Sequence, residues 1–257
     1  MLRSFFALLA LALCVGSFAL IANGKARVET RAPAEAPTNR TRVMMVGDSL
    51  SVSAFGEAVQ QHLASRFGPQ NVMAFASCGS SPENWLADEP SFYTHCGYRE
   101  VTPDRAPMYR DFVNGHKPRS TLTPKVEGLV RRYRPTVVVV QLGTNWMDRN
   151  LSDAQIGNFI DRFVRAARAP GVQQIVWIAP PDSSAFRKRQ DRVHRLIDAA
   201  ARRDNFDVID SRQLTHYVPG KTGGDGIHYN TGSSRAWAAK INPLLDARLR
   251  GRVATTR

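Results

Sequence analysis

Short, unbroken apolar runs alternate along this chain with segments whose apolar residues recur at helical spacing. The runs are typical of strands buried on both faces, and the helical spacing is typical of amphipathic helices. Alternating strands and helices predict a parallel sheet covered on both faces. We therefore predict an α/β fold, a three-layer α/β/α domain with a five-stranded parallel sheet. The predicted strands are 42–47, 71–76, 136–142, 174–179 and 207–210, and the predicted helices are 53–66, 124–133, 152–168, 184–203 and 232–249.

Residues 77–121 interrupt this alternation. They lack periodicity, contain several prolines and carry recurrent aromatic residues, among them Trp85, Tyr98 and Tyr109. A loop of this length in a compact domain is usually functional or disordered. Two interpretations stay open, namely an insert packed by its own side chains and a wall over a substrate site.

The N-terminal residues predict export. Arg3 precedes an apolar run from Phe5 to Ala22, and small residues follow. This arrangement is typical of a signal peptide, and a run of about eighteen residues is also long enough for a membrane anchor. We expect an exported protein, either periplasmic or secreted, with a tether to the inner membrane if the segment is not cleaved. The predicted organisation is a signal peptide or membrane anchor at 1–24, a linker at 25–41, the α/β domain at 42–250 and a C-terminal tail at 251–257.

The charge of the chain is strongly positive. Its 257 residues include 35 lysines and arginines against 22 acidic residues, a formal charge of +13. An arginine-rich solvated surface explains this most simply, and a polyanionic setting such as a cell-wall polymer or an acidic polysaccharide is the alternative. Because the sequence carries no nucleic-acid-binding motif and no cofactor motif, we expect no nucleic-acid partner and no cofactor. We also expect a monomer.

Cys78 and Cys96 are the cysteines that follow the N-terminal segment. In an exported chain they predict a disulfide, which stabilises by roughly 3 kcal/mol in the chain-entropy model. The rival interpretation is a metal pair with His95, but the close Cys-x-x-Cys spacing of such sites is missing. We therefore expect a disulfide and no metal.

Residues that could carry chemistry follow the predicted strands. Ser49, Gly79 and Asn145 come after the first three strands, and a late loop adds Asp225 and His228. The carboxyl ends of parallel strands share one edge of the sheet, where ligands collect. A serine nucleophile needs an imidazole base, a carboxylate orients that base, and preorganised donors stabilise the developing oxyanion. These residue types therefore point to acyl transfer.

Four separated blocks resemble those of the SGNH/GDSL hydrolases, in the family's order. The resemblance implies that Ser49 is the nucleophile, His228 the base and Asp225 its orienting carboxylate. The oxyanion donors would be the backbone amides of Ser49 and Gly79 and the side chain of Asn145. The resemblance also implies a flavodoxin-like strand order, 2-1-3-4-5, and no cofactor. The blocks are Gly47-Asp48-Ser49-Leu50-Ser51, Gly79 within Ser77-Cys78-Gly79-Ser80-Ser81, Gly143-Thr144-Asn145 and Asp225-Gly226-Ile227-His228.

We expect residues beside these blocks to line the substrate pocket. Trp146 stands where many family members have an aspartate, which leaves the catalytic groups intact but alters the pocket. The predicted lining residues are Asp48, Leu50, Ser80, Trp146 and Tyr229.

The leading functional hypothesis is an exported serine esterase that removes short acyl groups, most simply acetyl, from cell-envelope or extracellular carbohydrate. Aromatic residues in 77–121 would suit the faces of sugar rings. Two alternatives keep the same triad, a lipase or thioesterase for longer acyl chains and a polysaccharide O-acetyltransferase. A carbohydrate-binding module on an inactive hydrolase fold would require a missing catalytic group, and none is missing.

Overall fold

The structure is a computed structural model that describes residues 41–111 and 116–253, and these belong to one compact unit. The predicted signal peptide or anchor at 1–24, the predicted linker up to residue 40 and residues 254–257 lie outside the described residues. None of the helices in the described part has the length and apolar character needed to span a membrane. Export, cleavage and tethering stay predictions.

The central sheet has seven strands, which alters the prediction. Its order is β5-β4-β2-β1-β7-β8-β9, and β3 pairs with β6 in a separate two-stranded sheet. The α/β class and the mostly parallel sheet are confirmed, but the count of five strands and the complete order were wrong. The strands are β1 (Val43–Gly47), β2 (Val72–Ser77), β3 (Tyr93–Thr94), β4 (Tyr98–Thr102), β5 (Arg105–Arg110), β6 (Thr121–Leu122), β7 (Val137–Gln141), β8 (Gln174–Ala179) and β9 (Asp207–Asp210).

The parallel part of the sheet is buried on both faces. Its strands run in the order β2-β1-β7-β8-β9, and every neighbouring pair is parallel. In β1, Met44 and Val46 enter one apolar core, whereas Val43 and Met45 enter the other. This alternation follows from the two-residue period of a strand. It explains why these strands have continuous apolar sequences.

Helices cover both faces of the sheet, which gives the three predicted layers. Residues of α3, α4 and α5 pack in one core, and residues of α2 and α6 pack in the other. The last helix extends into the region predicted as a C-terminal tail, since it ends at Val253. The helices are α1 (Ser49–Val52), α2 (Ala54–Phe67), α3 (Val126–Tyr133), α4 (Asp153–Ala167), α5 (Arg187–Asp204) and α6 (Thr231–Val253).

The two additional strands form a hairpin within the segment predicted as a loop. β4 pairs antiparallel with β2, and β5 pairs antiparallel with β4 at the sheet edge. The predicted disulfide joins Cys78, just after β2, to Cys96, just before β4, with 5.5 Å between their Cα atoms. The hairpin is thus held by its own strand pairing and by a disulfide between the chain segments next to β2 and β4.

Candidate active site

The turn after β1 carries Ser49 at the carboxyl edge of the sheet. Asp48 caps α1, since its Oδ1 accepts a hydrogen bond from the Leu50 N–H at 3.0 Å. Ser51 in α1 donates to Gln141 Oε1 on β7 at 2.7 Å. Gly47 permits this close packing, because a Cβ there would lie 2.2 Å from Ser51 Oγ. Ser49 is consequently held at the first position of a short helix that follows β1 in the chain and is hydrogen-bonded to β7.

The loop before α6 carries Asp225 and His228. Tyr217 Oη accepts from the Gly226 N–H at 3.0 Å and donates to the His228 carbonyl at 3.2 Å. Ser183 Oγ donates to the Gly226 carbonyl at 2.7 Å. Gly226 has a positive φ of 84°, and a Cβ there would lie 2.9 Å from Ala185. Glycine is therefore needed for this loop to pack as it does.

The three predicted triad residues meet in one hydrogen-bonded series. His228 Nε2 lies 2.9 Å from Ser49 Oγ, and His228 Nδ1 lies 2.5 Å from Asp225 Oδ2. The other carboxylate oxygen of Asp225 accepts from the backbone N–H groups of Ile227 and His228 at 2.9 and 2.8 Å. The side chains of His228 and Asp225 are 48% and 52% exposed, so the site is open to solvent.

The environment of Asp225 favours its charged form. Burial raises the pKa of this carboxyl, but hydrogen bonds from the His228 ring and from the His228 and Ile227 backbone outweigh burial and hold the pKa below its usual value. An ionised carboxylate is what is needed to accept a hydrogen bond from Nδ1–H and to stabilise an imidazolium.

Three donors lie on the elements around Ser49. Among the described residues, no hydrogen bond takes up the backbone N–H of Ser49 or that of Gly79. Asn145 Nδ2 donates to the Ser80 carbonyl at 2.9 Å, which fixes the amide beside the loop that carries Gly79. A primary amide has a second N–H, so Asn145 keeps a donor for another acceptor. Gly79 has φ +78°, a conformation that side chains disfavour.

Asp48 is a carboxyl group buried directly beneath the turn. It is fully buried, and desolvation raises its pKa to about 6 despite the hydrogen bond from the Leu50 N–H. Gln141 and Thr144 also act on this carboxyl, although Asp48 Oδ2, Gln141 Nε2 and Thr144 Oγ1 each lack a hydrogen bond of good geometry. Ionisation of Asp48 in this turn therefore costs free energy.

The five predicted pocket residues are largely buried, although Tyr229 also lines a small pocket beside Thr222 and Trp237. Each is at most 7% exposed. Ser80 Oγ accepts from Trp85 Nε1 at 3.0 Å, and Trp146 Nε1 donates to Glu83 Oε2 at 2.9 Å. The Tyr229 hydroxyl donates to the Asp182 carbonyl at 2.7 Å. These side chains support the site from within. Their burial does not support the prediction that Asp48, Leu50, Ser80, Trp146 and Tyr229 line the substrate pocket.

Sequence reasoning missed the residues that anchor the histidine loop. Tyr217 and Ser183 lie on other segments, and neither stands beside a recognisable motif. Gly226 did carry a signal, because a glycine inside the Asp-x-x-His block indicates a special backbone conformation. Within the described residues, no group of three or more histidine, cysteine, aspartate or glutamate side chains is arranged to hold a metal.

A serine, a histidine and an aspartate in hydrogen-bonded series at the carboxyl edge of an α/β sheet form an arrangement that serine hydrolases use. The model of the GDSL-like Lipase/Acylhydrolase family matches residues 45–236. The chain belongs to this family and is an enzyme that hydrolyses ester bonds. Comparison with curated protein sequences finds no match.

Solved structures share the fold at low identity. A lipase/acylhydrolase from Enterococcus faecalis has 16% identity and a TM-score of 0.53, covering 81% of this chain and 97% of its own. TesA has 17% identity and a TM-score of 0.56, with coverages of 80% and 99%. Est24, a carbohydrate acetylesterase from Sinorhizobium meliloti, has 15% identity and a TM-score of 0.53, with coverages of 81% and 99%.

Proposed function

We propose that this protein is an exported serine esterase that removes short acyl groups, chiefly acetyl, from cell-envelope or extracellular carbohydrate. The observation that carries the proposal is the series Ser49 Oγ to His228 Nε2 at 2.9 Å and His228 Nδ1 to Asp225 Oδ2 at 2.5 Å. In this series the serine has its base within hydrogen-bond reach, and the base has its orienting carboxylate.

The reaction follows from these positions. Ser49 Oγ attacks the ester carbonyl while His228 Nε2 takes the hydroxyl proton. The N–H groups of Ser49 and Gly79 and the free Asn145 N–H stabilise the oxyanion. Collapse of the tetrahedral intermediate releases the alcohol, which takes the proton from His228 and leaves an acyl-Ser49 ester. Water, deprotonated by His228, attacks this ester and releases the acid, and the proton returns to Ser49.

Two observations support a short acyl group on a large alcohol. The imidazole and its carboxylate are about half exposed, so the ester of a polymer could reach Ser49 without entering a deep channel. Several proteins of the same fold are described as acetylesterases, including a peptidoglycan O-acetylesterase (12% identity, TM-score 0.54) and the carbohydrate acetylesterase Est24. An exported enzyme with such a site would meet acetylated carbohydrate outside the cytoplasm.

The test is hydrolysis of p-nitrophenyl esters from acetate to palmitate by the wild type, by Ser49→Ala and by Ser65→Ala. Ser65 is an exposed helical serine and serves as the matched control. We expect the rate to be greatest with acetate, to be lost in Ser49→Ala and to be unchanged in Ser65→Ala. Equal activity of Ser49→Ala would refute the mechanism.

Two other outcomes would change the substrate and keep the triad. A Ser49-dependent rate that rises towards palmitate would make the protein a lipase or thioesterase. If an added glycan accelerates acyl release and becomes acetylated, the protein is an O-acetyltransferase, because a sugar hydroxyl then replaces water at the acyl-enzyme.

A further inference from the structure

A groove of about 290 Å³ is lined by residues that follow Ser49 and His228 closely in the chain. Its walls include Ser53, four residues after Ser49, and Thr231, three residues after His228. The opposite wall is the β4–β5 hairpin. Because α1 ends at Val52, which also lines the groove, the groove begins about 5 Å along the helix axis from the serine. The groove is therefore within reach of the alcohol of an ester held at Ser49.

Three arginines from separate strands and a helix line the groove, namely Arg99 on β4, Arg110 on β5 and Arg235 on α6. Two carboxyl residues, Glu57 and Asp111, line it as well, which leaves an excess of one positive charge. The N-terminal ends of α2 and α6 also open here, at Ala54 and Thr231. Helix N-termini carry partial positive charge and add to the attraction for anions.

Arg99 is the least expected of these residues, because it is only 6% exposed. Its Nη2 donates to the neutral Gln60 Oε1 at 3.0 Å, and its guanidinium lies 4.8 Å from the centre of the Tyr109 ring. The Nε atoms of Arg99 and Arg110 are buried without hydrogen-bond partners. Burial lowers the pKa of Arg99 although Tyr109 and the Glu57 carboxylate favour its charged form, so the charge still costs free energy in the unliganded protein. A bound anion would offset that cost.

We propose that the groove binds an anionic group on the alcohol side of the ester, so that the substrate is an acylated acidic glycan. The proposal rests on the esterase function proposed above. Guanidinium groups match carboxylate and phosphate oxygens in a planar, two-bond geometry. Tyr109, which is 58% exposed in the same groove, presents an aromatic ring to the adjoining sugar.

The test compares an O-acetylated uronic-acid oligosaccharide with the same oligosaccharide after reduction of its carboxyl groups to alcohols. We expect kcat/KM to be about 10-fold higher for the acidic substrate, as for a charge-assisted hydrogen bond, and the preference to shrink as salt is added. Arg110→Gln and Arg235→Gln should each reduce the preference and leave hydrolysis of p-nitrophenyl acetate unchanged. Arg202→Gln is the matched control, since it removes an exposed arginine from α5, in the opposite helical layer.

Each result separates the two proposals. Equal kcat/KM for the acidic and neutral substrates would refute the groove proposal, whereas Ser49-dependent hydrolysis of p-nitrophenyl acetate would still support the esterase. Loss of the preference in Arg202→Gln as well would show that general surface charge, and not the groove, selects the substrate. A stronger preference for an acetylated glycan carrying phosphate would support the anion site and assign its ligand to phosphate. Thermal unfolding of the variants would identify any that fail to fold.

Discussion

Replacement of the buried carboxyl by an amide, Asp48→Asn, should change how stability depends on pH. Asp48 is fully buried, and its pKa is raised from 3.8 to about 6 by desolvation. Asparagine has the same shape and keeps the Oδ1 atom that accepts the Leu50 N–H at 3.0 Å. The substitution therefore removes the ionisation and retains the cap of α1.

The sign and size follow from proton linkage. Because the folded pKa lies above the unfolded value, folded Asp48 binds more protons than unfolded Asp48, and the contribution of Asp48 to stability falls as pH rises from about 4 to about 6. Shifting the pKa from 3.8 to about 6 corresponds to roughly 2.5 kcal/mol of lost stability between pH 4 and pH 7. Asp48→Asn lacks this loss. From pH 4 to pH 7, the unfolding free energy of the variant should therefore rise by that amount relative to the unfolding free energy of the wild type.

The assay is urea unfolding of both proteins at pH 4, 5, 6 and 7. Any constant cost of placing an amide beside Gln141 and Thr144 cancels, because only the change of the difference with pH is tested. In thermal unfolding the same change corresponds to roughly 5–10 °C in Tm. Asp148→Asn, which makes the same substitution at an exposed position, is the control. A difference between Asp48→Asn and the wild type that does not vary from pH 4 to pH 7 would refute the reasoning.

Three further predictions concern the oxyanion donor Asn145, the carboxylate Asp225 that orients the base, and the disulfide. Asn145→Ala should lower kcat for p-nitrophenyl acetate by about 10²–10³-fold with little change in KM, since its amide acts on the oxyanion; an unchanged kcat would remove it from that role. Asp225→Asn should lower kcat by about 10⁴-fold, measured in the same assay, because the His228 tautomer is no longer fixed. Replacing Cys78 and Cys96 together by serine should lower the free energy of urea unfolding by roughly 3 kcal/mol, and a loss below 1 kcal/mol would contradict the loop-entropy argument.

The parallel strands were predictable because a strand that is buried on both faces requires a continuous apolar sequence. Val137–Gln141 is covered by helices on both faces, so each side chain from Val137 to Val140 meets apolar atoms and the run is unbroken. The helices beside it must bury one face only, and their apolar residues recur accordingly. Local pattern and tertiary environment agree in this part of the chain, which is why the strand positions could be predicted.

The β4–β5 hairpin could not be predicted in the same way. β5 lies at the sheet edge with Arg105, Ala106 and Pro107 exposed, and such a sequence is indistinguishable from a loop. β4 is mostly buried, yet it contains Arg99 and Glu100, whose burial depends on partners elsewhere in the chain. The pairing of β4 with β2 is a long-range contact and leaves no period in the local sequence.

The same distinction explains the mixed outcome at the site. The spacing of the motifs predicted which residues would come together, because strand ends converge on one edge and the Asp225–His228 pair is local. It did not predict which neighbours face solvent. Leu50 stands next to Ser49 in sequence, but successive residues of a helix point in different directions, and Leu50 is 2% exposed. Adjacency to a motif is therefore a weak guide to a pocket wall.

The arginines of the β4–β5 hairpin can be explained in two ways, and the position of each arginine shows which explanation applies to it. Charged residues on an edge strand prevent pairing with other chains, which accounts for Arg105 and Arg110 on β5 without any ligand. Arg99 is different, because β4 lies between β2 and β5 and has no free edge to protect. A buried guanidinium there costs free energy and could be replaced by an apolar residue in a sheet that served only stability. An anion-binding role explains why Arg99 lies beside Arg110 and Arg235. All three line a groove that begins one helical turn from Ser49.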